Sequence, residues 1–159
     1  WSTKLFAVVI FPLILLVIHL FCLGVTLNDP KKKNIGRAMM TLIFWIVPVL
    51  SVVSNLSIYG YALGMDVNME VIVSILMGGI FILLGNYMSK NHQNYTVGIK
   101  LPWTLNSEEN WNRTHRMAGK LWILAGLVFF ENNMVPIVII VVVVTIPMIY
   151  SFVLYKKGI

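Results

Sequence analysis

The sequence predicts an all-α, polytopic integral membrane protein, and three observations carry that expectation. Of its 159 residues, 58% are apolar and only 11% are charged, against about half and about a quarter in an ordinary soluble domain. The apolar residues fall in long runs, most of them near the roughly 20 residues that a helix needs to cross a bilayer. The basic residues gather in alternate connections between those runs, as the positive-inside rule requires of a multi-pass protein. The net charge of +6 is accordingly read as cytoplasmic-loop charge, and no direct nucleic-acid partner is expected.

The first run, Leu5–Val25, is long enough to span, and its stretch 5–23 is too long for a cleaved signal peptide and lacks the flanks of one. The connection after it carries Lys31, Lys32, Lys33 and Arg37. A second span follows over Ala38–Tyr61, then an acidic connection with Asp66 and Glu70, then a third span over Val71–Met88. The next connection and its helical extension, 89–120, hold Lys90, Lys100, Arg113, Arg116 and Lys120. A fourth span is expected over 117–133, with Glu131 at its far end, and a fifth over Val135–Tyr155, followed by Lys156 and Lys157. Eleven of the twelve basic residues thus share one side, and only Lys4 lies on the other. Five helices then run with the N-terminus outside and the C-terminus in the cytoplasm. The first residue is Trp1, so the chain is read as beginning inside a longer one. An upstream span would make six.

Within the spans the signals are sparser. Pro12, Pro48 and Pro147 each remove a backbone donor and are candidate kinks. Ser74, Gly78 and Gly79 form a small-residue face suited to close helix packing, and Asn55 is expected to bond a neighbouring helix. The lone cysteine, Cys22, forms no internal disulfide and says nothing about redox compartment. No CxxC, HExxH, phosphate loop or metal-ligand cluster is present, so neither a metal nor a cofactor is expected.

One stretch departs from the apolar pattern: GIKLPWTLNSEENWNRTHRMAGK at 98–120. Asn106 followed three residues later by Glu109 reads as a helix N-cap and capping box, with Glu108 and Glu109 suiting the positive end of the helix dipole. One helix is expected from about Ser107 into the fourth span, partly interfacial. On it Glu109, Arg113, Arg116 and Lys120 make a charged stripe, and Trp111, His115, Ala118 and Trp122 make an aromatic face. Arg116 and Lys120 are placed to snorkel to lipid headgroups, and the Trp side chains suit the interface. Glu108, Glu109 and His115 do not meet the requirements of an acid/base site, so no catalytic residue is assigned and the chain is not expected to be an enzyme.

The stretch Gly85-Asn86-Tyr87-Met88, then Asn94, then Gly98-Ile99-Lys100-Leu101-Pro102-Trp103-Thr104-Leu105, then Glu109, Trp111, Thr114-His115-Arg116 and Gly119-Lys120, closely resembles the SdpI-like family. Asp29-Pro30-Lys31-Lys32 with Asn34 resembles that family's first cytoplasmic loop. The resemblance covers most of the chain. It implies a multi-pass protein of the bacterial plasma membrane that gives immunity to a secreted killing peptide, the sporulation-delaying toxin, by binding and not by turnover. In some members it also implies capture of a cytoplasmic repressor at the membrane. By resemblance, the signature residues are Asn86, Asn94, Gly98, Lys100, Pro102, Trp103, Thr104, Glu109, Trp111, His115, Arg116 and Lys120. Pro102 would fix the loop's entry, and Trp103 and Trp111 would anchor it to lipid or a partner. His115, Arg116 and Lys120 would supply basic contacts. Lys100 departs from the family's usual Arg, keeping the charge but losing the planar two-pronged donor. A toxin arriving from outside would meet Asp66, Glu70 and Glu131 before this segment, so a toxin, a repressor and lipid headgroups all stand as partners. Two other classes remain open: a small-solute or peptide transporter or channel, and a lipid-modifying enzyme. Against the transporter, the spans show no mid-membrane acid or base of the kind that marks coupling or ion pathways.

Overall fold

The computed structural model describes residues 4–131 and 136–159, and the regular structure in them is entirely helical. A π-helical turn, Phe6–Ile10, runs into α1 (Phe11–Leu27), followed by α2 (Arg37–Ala62), α3 (Met69–Met88), the short α4 (Pro102–Asn106), α5 (Glu108–Glu131) and α6 (Pro136–Lys156). Among the described residues, four helices are long and apolar enough to cross a bilayer: Phe6–Leu27, Arg37–Ala62, Met69–Met88 and Val138–Lys156. The end expected for the fourth span, at 133, and the start expected for the fifth, at Val135, lie outside the described residues. α5 has 24 residues, about 36 Å at 1.5 Å per residue. Its first two turns are too polar for it to count as a span by apolarity alone.

The packing core is a three-helix layer of α3, α5 and α6. Its densest seam joins α3 to α5, where glycines bring two backbones into contact. A Cβ on Gly119 would stand 2.6 Å from the Gly85 carbonyl oxygen, and one on Gly85 would stand 2.7 Å from that of Gly119. Seven residues along, a Cβ on Gly126 would stand 2.7 Å from the Gly78 oxygen. The two contacts are a heptad apart on both helices and run in opposite senses, so α3 and α5 are antiparallel neighbours in 3.5-residue register. Gly78 of the expected small-residue face is therefore in the seam, whereas a Cβ on Gly79 would meet nothing within 4 Å.

Aromatic side chains fill the space between this seam and α6. Phe81, Ala125, Phe129 and Val143 are buried together, with Met77, Leu121, Trp122 and Ile139 against them. The Phe81 ring lies 5.0 Å from Trp122 and 5.2 Å from Phe129. By contrast, α1 packs chiefly on α2, and the apolar window of its span has no buried residue, as suits a helix whose solvent is lipid.

Pro147 explains one polar contact inside this layer. Having no N–H, it leaves the carbonyl of Val143, four residues earlier, without its helical donor. The indole Nε1–H of Trp122 donates to that oxygen at 3.2 Å. Trp122→Phe should therefore destabilise the protein by roughly 1 kcal/mol. In a Pro147→Ala background, where residue 147 regains a donor, the same change should cost much less. Melting curves of the four proteins in one detergent give the coupling, and equal costs in both backgrounds would refute this account. Asn55 corrects an expectation. Its Nδ2 donates within α2 to the Ser51 carbonyl at 2.7 Å, a local bond open to any helical Asn, and its Oδ1 is buried with no hydrogen-bond partner among the described residues.

Candidate functional site

Where α1 joins α2 and α3 leads toward α4, two polar loops are tied to each other by side chains. Asp29 is the first tie. It is buried, and its carboxylate accepts from the backbone N–H of Lys31 at 2.7 Å and of Tyr95 at 3.0 Å, and from the Thr96 hydroxyl. Burial pushes its pKa up, but the bonds from Thr96, Lys31 and Tyr95 outweigh that and hold it below the usual carboxylate value. Lys31 Nζ donates to Gln93 Oε1 at 2.8 Å and lies 5.1 Å from the centre of the Tyr95 ring. Asn34 and Gly36 continue the seam by donating to the Gln93 carbonyl and to Asn91 Oδ1.

Inside the second loop, Asn94 is fully buried and shapes the chain around itself. Its Oδ1 accepts from the N–H groups of Thr96 and Val97, and its Nδ2 donates to the His92 carbonyl. The backbone then passes Gly98 at φ +125°, a left-handed conformation that disfavours any side chain. A Cβ there would also overlap the His115 ring. Thr104 closes the turn: its Oγ1 accepts from Leu101 N–H at 2.9 Å and lies 2.8 Å from the Ile99 carbonyl, to which it donates.

His115 and Trp111 form the floor. Both are buried, at 1% and 0% exposure, and their rings stack with centroids 3.9 Å apart. His115 Nε2 accepts from Ile99 N–H at 2.8 Å. The proton therefore sits on Nδ1, which donates to the Trp111 carbonyl at 2.8 Å. Burial holds the imidazole neutral, with its pKa lowered to about 4 against the pull of the Trp111 carbonyl. Trp111 Nε1 donates to the Asn91 carbonyl at 2.9 Å. On the α6 side, Trp103 Nε1 donates to Ser151 Oγ at 3.0 Å, with its ring stacked on Tyr155. Asn110 Nδ2 reaches the carbonyls of Ser151 and Ile159.

These contacts sort the expected site residues into two groups. Asn94, Gly98, Trp103, Thr104, Trp111 and His115 converge on the knot. Asn86, Lys100, Pro102, Glu109, Arg116 and Lys120 are exposed around it, with Lys100 Nζ donating to the Thr96 carbonyl and Glu109 paired to Arg113 at 2.6 Å. Three expectations are corrected. Trp111 is fully buried with its indole N–H bonded inside the fold, so it is not a lipid anchor, while half-buried Trp103 bonds Ser151 through its own indole N–H. His115 supplies no basic contact, because both ring nitrogens are engaged in a buried, neutral state. The helix cap is Ser107 and not Asn106. Residues Pro102–Asn106 form their own turn of helix, Ser107 is extended, and Ser107 Oγ accepts from Asn110 N–H at 3.2 Å.

Sequence reasoning missed Gln93, Asn110 and Ser151 as members of the knot. Asn110 carried a readable signal, since it precedes Thr114 by four on the face next to Trp111 and His115, and the two side chains do bond at 3.1 Å. It also passed over His19 within α1, whose Nδ1 is buried with no hydrogen-bond partner among the described residues.

Above the floor lies a cavity of about 450 Å³. Its walls are apolar side chains of α1, α2 and α3, among them Val25, Ile43 and Leu84, and its base is Thr96–Ile99 with His115. The arrangement joins a polar knot, locked from within, to an apolar chamber among the long helices.

Residues 90–151 match the family model described as the SdpI/YfhL protein family. Over that stretch the chain resembles the SdpI/YfhL family. The matched stretch takes in the second loop, α4, α5 and most of α6, so the SdpI-like pattern coincides with the larger part of the knot. Over 163 residues the chain is 28% identical to "Immunity protein SdpI" of Bacillus subtilis (strain 168), covering 98% of this chain and 77% of that protein. No solved structure matches.

Proposed function

We propose that this SdpI-like chain is a multi-pass immunity protein of the bacterial plasma membrane, and that it protects its cell by binding an apolar segment of a peptide toxin inside the bilayer. The observation that carries this reading is the 450 Å³ apolar cavity floored by signature residues. A toxin met within the membrane reaches that chamber sideways between helices, so a signature at the cytoplasmic end and a toxin from outside are compatible. Binding, not turnover, is the mode: the knot's polar atoms are spent on one another, leaving an apolar wall to recognise an apolar guest.

The reading takes α5 as a fifth crossing. Its support is the glycine seam, which sets Gly119 beside Gly85 and Gly126 beside Gly78 and so carries α5 down the length of α3. The basic connections are then cytoplasmic, with the N-terminus of this chain outside and its C-terminus inside. A cysteine placed at Asn106 in a Cys22→Ser background should resist an impermeant thiol reagent on intact cells; ready labelling would overturn the orientation.

Two outcomes in toxin-sensitive cells test the function. The intact protein should restore survival, and survival equal to the empty control would refute immunity. Ile43→Trp, which fills the cavity from α2, should abolish protection while membrane abundance stays normal. Val52→Trp, on an exposed face of the same helix, should leave protection intact. Protection by Ile43→Trp would remove the cavity from the mechanism.

A further inference from the structure

A second feature lies on the opposite side of α5 from His115. Arg113, Arg116, Met117 and Lys120 of α5 and Tyr150 of α6 line an open groove of about 330 Å³. The three cations recur at steps of three and four, so they share one face of the helix over about 10 Å. Arg113 is held by Glu109. Arg116 and Lys120 have no ion-pair or hydrogen-bond partner among the described residues. α6 supplies no carboxylate to the groove, because Pro136–Lys156 contains no Asp or Glu. Three positive groups thus face one carboxylate, with the Tyr150 hydroxyl available as a further donor.

The seam between α3 and α5 fixes the depth of this groove. With Gly119 beside Gly85 and Gly126 beside Gly78, counting along both helices sets Arg116 level with Met88, the last residue of α3, and Lys120 level with Leu84. The cations therefore sit where the apolar span ends, and Lys120 sits about one turn inside it. A protein or nucleic-acid partner in the cytoplasm would have to reach below the membrane surface to meet Lys120. A phospholipid headgroup is already there.

We propose that Arg113, Arg116, Lys120 and Tyr150 form a binding site for the phosphate of an anionic phospholipid in the cytoplasmic leaflet. The planar guanidinium forks of the two arginines match phosphate oxygens in pairs. Lys120 supplies a point charge from below, and the acyl chains lie against the apolar outer faces of α5 and α6, where Leu124, Leu127 and Ile149 are exposed. The site rests on the reading of α5 as a crossing helix with its start in the cytoplasm, and it is separate from the toxin cavity.

The test uses the full chain, stripped of lipid in detergent and then offered phosphatidylglycerol or phosphatidylcholine, with bound lipid counted by native mass spectrometry. The intact protein should retain phosphatidylglycerol with roughly thirtyfold preference, the size expected for two cations acting at a headgroup. The double variant R116Q/K120Q should lose that preference while its melting temperature stays unchanged, since both side chains are exposed. K32Q/K33Q, which removes two exposed cations from the first loop, should keep it. Equal retention of the two lipids by the intact protein, or full preference in R116Q/K120Q, would overturn the proposal. Displacement of phosphatidylglycerol by inorganic phosphate alone would assign the groove to a free anion and refute the lipid. Loss of preference in both double variants would point to net charge and not to this groove. The impermeant labelling at position 106 reports separately on orientation, so a failed topology and a failed lipid site give different results.

Discussion

Gly119→Val is expected to abolish accumulation of folded protein in the membrane, the largest effect of any single substitution considered for this chain. The new Cβ would lie 2.6 Å from the Gly85 carbonyl oxygen, closer than any carbon and oxygen can rest. The obstruction is backbone on a facing helix, so no rotamer change relieves it. The two helices must separate, and separation opens the packing that continues from Phe81 and Trp122 to Phe129. Overpacking of an ordinary core costs about 1–3 kcal/mol. Here the displaced unit is a helix pair, and between apolar helices in lipid close packing is itself the main attraction. Gly85→Val should behave alike. Gly79→Ala is the control on the same α3: its Cβ would meet nothing within 4 Å, and alanine is the better helix former by up to about 1 kcal/mol. That variant should melt at or slightly above the temperature of the intact protein. Detergent-solubilised yield and melting temperature separate the cases. Normal yield of Gly119→Val with an unchanged melting point would show that the seam does not hold the two helices together.

The helices were legible in the sequence for a simple reason: apolar runs near bilayer length have one stable state in lipid, and the breaks between them are charged. The expected spans at 5–25, 38–61 and 71–88 sit within a few residues of Phe6–Leu27, Arg37–Ala62 and Met69–Met88. The polar block was legible as a helix with a charged stripe and an aromatic face, because a 3.6-residue period survives in composition. The destination of each face was not. Trp111 reads equally as an interfacial anchor and as a core residue, and what decides is the Asn91 carbonyl, contributed by a loop twenty residues earlier in the chain. The same holds for Asp29, whose acceptor role depends on Tyr95 and Thr96. Asn106 was misread as the cap since Asn, Ser and the two glutamates all fit the start of a helix. Only the turn of helix begun at Pro102 moves the break to Ser107. Contacts made across sequence distance have no local signature, and the bonds that join the knot's separate segments are all of that kind.

The second large effect concerns His115 and pH. In the unfolded chain an imidazole titrates near 6.5, whereas in the folded protein burial lowers His115 to about 4. Between those values the unfolded chain takes up a proton that the folded protein refuses. The stability this group confers is thus complete above about pH 6.5, declines as pH falls toward 4, and declines no further below that. Two and a half units correspond to about 3 kcal/mol, a substantial part of the total for a protein of this size. Asp29, whose carboxyl is held below its ordinary value, loses its contribution only in more acid solution, so the two windows separate. The melting temperature of the intact protein should fall steadily from pH 7 to pH 4.5. His115→Gln should melt lower at pH 7, because a side chain that packs less well on Trp111 must now accept from Ile99 N–H, but its further loss on acidification should be much smaller. An identical decline in the two proteins would assign the pH dependence to other groups. The physical content of the prediction is that a cation at this position breaks the Ile99 bond and places charge beneath an apolar chamber. His115 therefore acts as a neutral acceptor that fixes Ile99 in the cavity floor. Protection in toxin-sensitive cells should then track the integrity of that floor and not any charge on the imidazole.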